Sequence, residues 1–127
     1  LSPEIFGIGQ GGPHKDTKFK NENHGDVSLV LMLLSIIRLL KPNILLPATT
    51  ALGTVDPLGR EKGILHGANV VMPNLSPVKH RKDYSLYDNK ICTGDEAAQC
   101  IGCLADRMKK IGYEIVTDRG DYTENYD

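Results

Sequence analysis

The chain is poor in aromatic residues: it has no tryptophan, and aromatics make up 6% of its 127 residues. It also lacks a dense basic stripe, because its 15 Lys and Arg residues are spread among 16 Asp and Glu residues. Nucleic-acid-binding domains concentrate positive charge on one face and often add stacking aromatics. The composition therefore predicts no nucleic-acid partner.

A hydrophobic run long enough to cross a membrane is also missing. The longest apolar run, Val27–Leu40, has fourteen residues and includes Arg38, whereas a membrane-spanning helix needs about 20. The chain opens on LSPEIFGIG, with neither a methionine nor the charged and apolar regions of a signal peptide. These absences predict no membrane association, and we interpret the opening as a cut within a larger protein.

What is present is an alternation of strand and helix patterns. With 127 residues, 40% of them hydrophobic, the chain has the size of one domain or part of one. Short apolar runs predict strands, and longer periodic runs bounded by capping residues, Pro or Gly predict helices. The predicted strands are residues 4–9, 44–46 and 69–72, and the helices that follow them are Val27–Leu40, 56–67 and a short piece at 76–87.

Strand followed by helix, three times over, predicts parallel strands joined by crossover helices. Three such units cannot close a barrel, which needs eight. We therefore expect an α/β fold, the C-terminal portion of a (β/α)8 TIM-type barrel, with strand edges and an apolar helix face left uncovered. Residues 1–87 would form this barrel portion, and residues 88–127 a cysteine-bearing loop, a C-terminal helix and a tail with a short extended segment at 113–117.

The loops after the predicted strands carry most of the special residues, as at the catalytic face of barrel enzymes. These loops are residues 10–19, 47–55 and 73–87. In the first, GIGQGG matches the dinucleotide pattern G-x-G-x-x-G, but Pro13 follows where the pattern requires a helix. A dinucleotide site is therefore not predicted, and His14 in the same loop is interpreted as bonding to backbone.

The three cysteines form the strongest chemical signal in the chain. Cys92, Cys100 and Cys103 are spaced C-x7-C-x2-C, and thiolate is the ligand that zinc and iron-sulfur clusters select. A cluster held by these three alone would be one protein ligand short. The spacing predicts a metal or cluster site.

The predicted helix over residues 97–111 gives these thiols a context. Asp95 is its predicted N-cap and Gly112 its stop. Cys100 and Cys103 would then lie in its first turns, where the helix dipole favours thiolate. A dithiol redox pair, a disulfide and inert thiols remain alternatives, because a C-x2-C pair suits redox chemistry and buried cysteines are often unreactive.

Three stretches of the sequence stand out together: PATTALGTVDPLGREKGILHGANVVMPNLSP, YSLYDNKIC and the C-x7-C-x2-C set. Together they resemble the C-terminal half of the radical S-adenosylmethionine maturases of FeFe-hydrogenase. The similarity runs from residue 4 to about residue 120. The wider biotin synthase-like group includes biotin synthase and methylornithine synthase, and this region resembles its biotin and thiamin synthesis associated domain.

The resemblance implies roles for individual residues. Thr49 and Thr50 would hold the carboxylates of a small substrate in the barrel cavity. Met72 would line that cavity beside S-adenosylmethionine, and Tyr84 and Tyr87 would close over it.

The resemblance also assigns the three cysteines to an accessory cluster and marks one departure from the family. Cys92, Cys100 and Cys103 match the ligands of a 2Fe-2S or 4Fe-4S cluster that activity does not require. The first loop differs, since Gln10 and the two glycines after it replace a bulkier, Pro-containing run.

Taken alone, the same residues allow simpler roles. Adjacent threonines often only satisfy a turn, and a methionine such as Met72 is more often core filler than a cofactor contact. Tyr84 and Tyr87 are three residues apart, so on a helix they could pack together as readily as cap a pocket.

The C-x3-C-x2-C motif that holds the radical cluster in this family is absent. We therefore expect no activity from the isolated chain. The radical 4Fe-4S cluster and S-adenosylmethionine would be held largely by a missing N-terminal half of the barrel. That half would be the first partner of this chain. The resemblance further implies a second radical maturase and a GTPase scaffold as partners, in the cytoplasm.

Two alternatives to a hydrogenase maturase remain. One is a biotin synthase-like or methylornithine synthase-like enzyme, and the other is a non-catalytic iron-sulfur or metal-binding module.

Overall fold

The computed structural model of the chain describes residues 3–73, 77, 79–80, 83 and 97–123, with only the backbone of residues 97–100. These residues form a small α/β unit with few strands. Its elements, in chain order, are α1 (Val27–Leu40), β1 (Pro47–Ala48), α2 (Thr50–Val55), α3 (Gly59–Leu65), β2 (Val70–Val71) and α4 (Ala97–Lys110). None of the described helices is long and apolar enough to cross a bilayer.

Helix α1 has the bounds that the sequence predicts. It begins after Asp26, whose carboxylate accepts a hydrogen bond from the Ser28 amide at 2.8 Å, because an N-cap oxygen satisfies an otherwise unpaired donor. It ends at Leu40, where the Lys41 amide still bonds to Ile37 O at 2.8 Å. Pro42 follows and cannot continue the helix, since it has no N–H.

The strands are parallel, as predicted, but shorter than predicted. β1 pairs with β2 in the register Pro47 with Val70 and Ala48 with Val71. The predicted strand at 4–9 is reduced to one parallel bridge, between Ile5 and Leu45. The predicted strand at 44–46 contributes Leu45 to that bridge. The pairing with β2 forms at residues 47–48 instead, directly before Thr49 and Thr50.

Two short helices follow β1, where the sequence predicts a loop over residues 47–55 and one helix from residue 56. That prediction is wrong for Thr50–Val55, which is α2. Helix α3 begins at Gly59 and packs closely on α2, because a Cβ at Gly59 would lie 2.2 Å from Leu52 O. A separate helix fits here because glycine allows the two backbones to approach each other.

One hydrophobic core joins these elements. Leu34 of α1, Leu46 before β1, Leu52 of α2 and Leu104 of α4 are all 0–2% exposed. The opposite face of α1 remains exposed, as predicted, and five large apolar side chains lie on it. They are Leu29, Met32, Ile36, Leu39 and Leu40.

Helix α4 ends one residue before the predicted residue 111. It runs to Lys110, and Gly112 adopts a φ of +85°, which glycine tolerates without a Cβ clash. Residues 113–117, which the sequence predicts to be extended, are described by the structure but are not part of a strand. The proposed N-cap Asp95 and most of the helical piece at 76–87 lie outside the described residues. The division at residue 87 remains a prediction.

Candidate functional site

The candidate site is the edge of the sheet at which β1 and β2 both end. Ala48 and Val71 are the last paired residues of the two strands. Thr49 and Met72 come next along each strand, so the parallel register brings them side by side at the carboxyl edge. Ligands of α/β proteins bind at this edge. The structure therefore brings together three of the five residues predicted to bind substrate or cofactor: Thr49, Thr50 and Met72.

Thr49 and Thr50 have different structural roles. Thr49 is the N-cap of α2, and its Oγ1 accepts a hydrogen bond from the Leu52 amide at 3.2 Å. Thr50 is the first residue of the helix, and its carbonyl accepts a bond from the Thr54 hydroxyl at 3.0 Å. Both threonines are half-buried. The Thr49 hydroxyl therefore has a structural role whether or not it also contacts a ligand.

Gln10 brings the first loop to the same edge. Its Nε2 donates to Ala51 O at 2.7 Å, and a Cβ at neighbouring Gly9 would lie 4.0 Å from Thr49 Oγ1. The amide orientation follows from this bond, because a backbone carbonyl can only accept. Gln10 is buried, and its Oε1 accepts no hydrogen bond from the part of the chain that is described. The sequence gives no periodic signal that this polar residue is buried.

The remaining predicted substrate residues are less constrained by the structure. Met72 is 47% exposed, so in this chain it is not core filler. Tyr84 and Tyr87 lie outside the described residues, and their roles remain predictions. His14 bonds to backbone as predicted: its Nδ1 accepts from the Asp16 amide at 3.2 Å.

The cysteine set is described only in part. Positions 100 and 103 lie within α4, one turn apart, and Cys103 is an exposed free thiol. Cys92 and the side chain of Cys100 lie outside the described residues. Among the residues that the structure describes, no three His, Cys, Asp or Glu side chains are grouped to hold a metal ion. The donor chemistry suits a soft metal or an iron-sulfur cluster, because all three candidate ligands are thiols.

An ion pair connects the cysteine-bearing helix to α3. Arg107 donates through Nε to Glu61 Oε1 and through a terminal nitrogen to Glu61 Oε2 at 2.6 Å. The same terminal nitrogen donates to Pro57 O. A two-pronged arginine contact with a carboxylate fixes orientation as well as distance. The residues are 46 apart in sequence, and no local pattern predicts their pairing.

Two carboxylates at α3 have lowered pKa values. Burial alone would raise the pKa of Glu61, whose side chain is 8% exposed, but the hydrogen bonds from Arg107 and from backbone outweigh it. A hydrogen bond from the Lys62 ammonium, 2.5 Å away, and a second from the Leu58 amide lower the pKa of Asp56. Both groups are therefore charged near neutral pH.

A shallow groove of about 560 Å³ lies at the C-terminal end of α4, away from the sheet edge. Its walls come from α4 and the turn after it, and Asp106, Lys109 and Tyr113 are among its lining residues. None of Thr49, Thr50 and Met72 lines it. It is therefore separate from the candidate site.

Comparison with known proteins identifies a relative. No family model matches the chain. The chain is 41% identical over 117 residues to the FeFe hydrogenase maturase subunit HydE of Thermotoga maritima. The aligned part is 92% of this chain and 34% of HydE, and it matches the C-terminal portion of that protein. The chain thus spans about a third of the length of this relative, and the predicted resemblance is confirmed.

Proposed function

We propose that the chain is the C-terminal part of a radical S-adenosylmethionine enzyme that helps build the diiron subsite of FeFe-hydrogenase. The observation that carries this proposal is the 41% identity to HydE over 92% of the chain. The parallel strands and crossover helices support a portion of a TIM-type barrel. The rest of that barrel would come from outside these 127 residues.

The sheet edge is the part of the chain that would shape the substrate cavity. Thr50 would offer its hydroxyl to a substrate carboxylate, while Thr49 holds the start of α2 in place. Met72, exposed beside Thr49 in the register, would line the same cavity. Tyr84 and Tyr87 would close over it.

S-adenosylmethionine and the radical 4Fe-4S cluster, when bound to the complete barrel, would supply the radical. The residues of this chain would bind and orient the substrate and exclude water from it. Cys92, Cys100 and Cys103 would hold an accessory 2Fe-2S or 4Fe-4S cluster. The exposed thiol of Cys103 on α4 supports this assignment, because a ligand must be accessible to the cluster.

A chimera tests the proposal directly. The C-terminal third of Thermotoga HydE is replaced by this chain, in the register of the 41% identity, and expressed anaerobically in cells that lack their own maturase of this type. Hydrogen evolution by a co-expressed FeFe-hydrogenase is the measurement. We expect the chimera to restore it. A soluble, folded chimera that restores none would contradict the proposal and favour a non-catalytic metal-binding module.

Two threonine variants of the chimera separate substrate binding from folding. Thr50→Val keeps the side-chain shape and removes a hydroxyl, which should cost about 1.5–3 kcal/mol of substrate binding, or tenfold or more in affinity. Thr54→Val removes a hydroxyl from the same helix, one that donates back to Thr50 O at 3.0 Å. Loss of affinity in the second variant alone, or in neither, would contradict the role of Thr50. Thr49→Val is a poorer probe because it also removes the helix cap.

A further inference from the structure

The side chain of Gln10 is fixed at both of its ends. At the near end it lies against the backbone of Gly25, where an added Cβ would be only 2.8 Å from Gln10 Cβ. At the far end, Nε2 donates a hydrogen bond to Ala51 O at 2.7 Å. Gln10 is 6% exposed, so this connection lies in the interior. It joins the loop over residues 10–19 to the first turn of α2.

The connection lies at the sheet edge that forms the candidate site. Ile5 and Leu45 form a parallel bridge, and Gln10 and Thr50 each lie five residues further along the chain. The bond from Gln10 to Ala51 O shows that the two segments are still in contact at this level. Gln10 therefore reaches the edge beside Thr50.

Hydrogen bonds hold the residues on both sides of Thr50. Before it, the Thr49 hydroxyl accepts from the Leu52 amide at 3.2 Å, and after it, the Ala51 carbonyl accepts from Gln10. A side chain that binds a ligand must be held to within about 0.5 Å of its productive position. Of these two bonds, the one from Gln10 comes from a distant part of the chain. It therefore sets where the start of α2 lies relative to the first loop.

The polar end of Gln10 is poorly suited to stabilising the fold. Its Oε1 is buried and receives no hydrogen bond from any residue that the structure describes. An unpaired buried acceptor costs at least as much free energy as one neutral hydrogen bond contributes. An apolar side chain of similar length would therefore fill this place without loss of stability. The bond to Ala51 O is better explained by position than by stability.

We propose that Gln10 is a positioning residue for Thr50, acting through Ala51 O to hold the first turn of α2 so that the Thr50 hydroxyl meets a substrate carboxylate. This inference rests on the proposed role of Thr50 in substrate binding. The first loop, rather than α2 alone, then sets the position of that hydroxyl.

The test is a titration of the full 127-residue chain with succinate, a small dicarboxylate, followed by the NMR signals of the Thr50 amide and methyl groups. Gln10→Met removes the donor and keeps an unbranched side chain of similar length. We expect this variant to bind succinate about tenfold more weakly, as Thr50→Val should. Its urea midpoint should stay the same or rise, whereas loss of a merely structural residue would lower it.

Ser35→Ala is the matched control. Ser35 Oγ also donates to a backbone carbonyl far away in sequence, that of His66 at 3.1 Å. His66 precedes β2, so this bond lies at the opposite end of the strand from the candidate site. The control variant should bind succinate as the parent does.

A double variant shows whether Gln10 acts through Thr50. Gln10→Met combined with Thr50→Val should bind succinate no more weakly than Thr50→Val alone. A further loss of affinity in the double variant would mean that Gln10 acts independently of Thr50, and the inference would be wrong.

The failure of the inference can be distinguished from the failure of the proposed function. A parent chain without saturable succinate binding would overturn the role of Thr50 and, with it, the inference. A parent that binds succinate, together with a Gln10→Met variant of unchanged affinity or lowered urea midpoint, would overturn the positioning role alone. The maturase function is tested separately, by the chimera.

Discussion

Helices α1 and α4 have the same length, fourteen residues each, but are attached to the molecule in opposite ways. α1 places Val30, Leu31 and Leu34 in the core and carries a second apolar face outward. α4 places Leu104 and Met108 inward, and its charged residues, Asp106, Arg107, Lys109 and Lys110, all lie in its last two turns.

Helix α1 therefore has apolar side chains on two sides, whereas the described core residues of α4, Leu104 and Met108, lie on one side. A helix that is apolar on opposite sides is typical of an element covered on both sides in a larger body. This agrees with the proposal that α1 is part of an incomplete barrel. Helix α4, by contrast, buries Leu104 and Met108 in the core, and Arg107 adds an ion pair with Glu61.

The largest expected effect is on the α1 side. Leu34 is completely buried, so Leu34→Ala should lower the free energy of unfolding by about 2–5 kcal/mol, through lost burial and a residual cavity. In a chain of this size, such a loss should remove most of the cooperative urea transition seen by circular dichroism.

The outward face of α1 provides the matched control. Leu39 is 81% exposed, so Leu39→Ala should change the free energy of unfolding by no more than about 0.5 kcal/mol. Equal losses for Leu34→Ala and Leu39→Ala would mean that both faces of α1 are buried in solution. The two-sided description of this helix would then be wrong for the isolated chain.

The contrast between the helices also shows what could be predicted from sequence. The bounds of α1, the strand at β2 and the stop at Gly112 were predictable because they rest on local rules: periodicity, a capping Asp, a Pro and a glycine with positive φ. The parallel pairing was predictable from the alternation of elements, and Thr49 and Met72 at one edge follow from that pairing.

Long-range contacts were not predictable in the same way. The ion pair of Arg107 with Glu61 joins residues 46 apart, and each looks like an ordinary solvated charge in its own helix. Helix α2 was missed because its six residues, TALGTV, include two threonines, a valine and a glycine, all weaker helix formers than alanine. It is stabilised by the Thr49 cap and by burial of Leu52, neither of which is visible in local propensity.

A smaller effect is expected from acid, and it should fall on α4. The folded pKa of Glu61 lies below its usual value of 4.5. Its ion pair therefore contributes full stability above that value, and the contribution is lost as the pH falls through the folded pKa. On lowering the pH from 6 to about 3.5, hydrogen-exchange protection should fall in α4 before it falls in α1.

The Glu61→Gln variant checks the origin of the acid effect. It lacks the titrating group, so its α4 should have low protection already at pH 6 and should lose less of it on acidification. If α1 and α4 of the parent lost protection together, the two helices would form one cooperative unit. The description of α4 as separately attached would then fail.

The smallest effects concern two glycines of the α4 region, and they have opposite signs. Gly102 lies inside the helix, and a Cβ there would meet no atom within 4 Å, so Gly102→Ala should stabilise the chain by about 0.5–1 kcal/mol. Gly112 has a φ of +85°, which strains any residue with a Cβ, so Gly112→Ala should cost about 1 kcal/mol. Urea unfolding followed by circular dichroism measures both changes. Because one glycine lies within α4 and the other at its end, each change should appear mainly in the exchange protection of α4, with that of α1 unaltered. Stabilisation by Gly112→Ala would mean that the chain does not turn at this residue in solution and that α4 ends elsewhere.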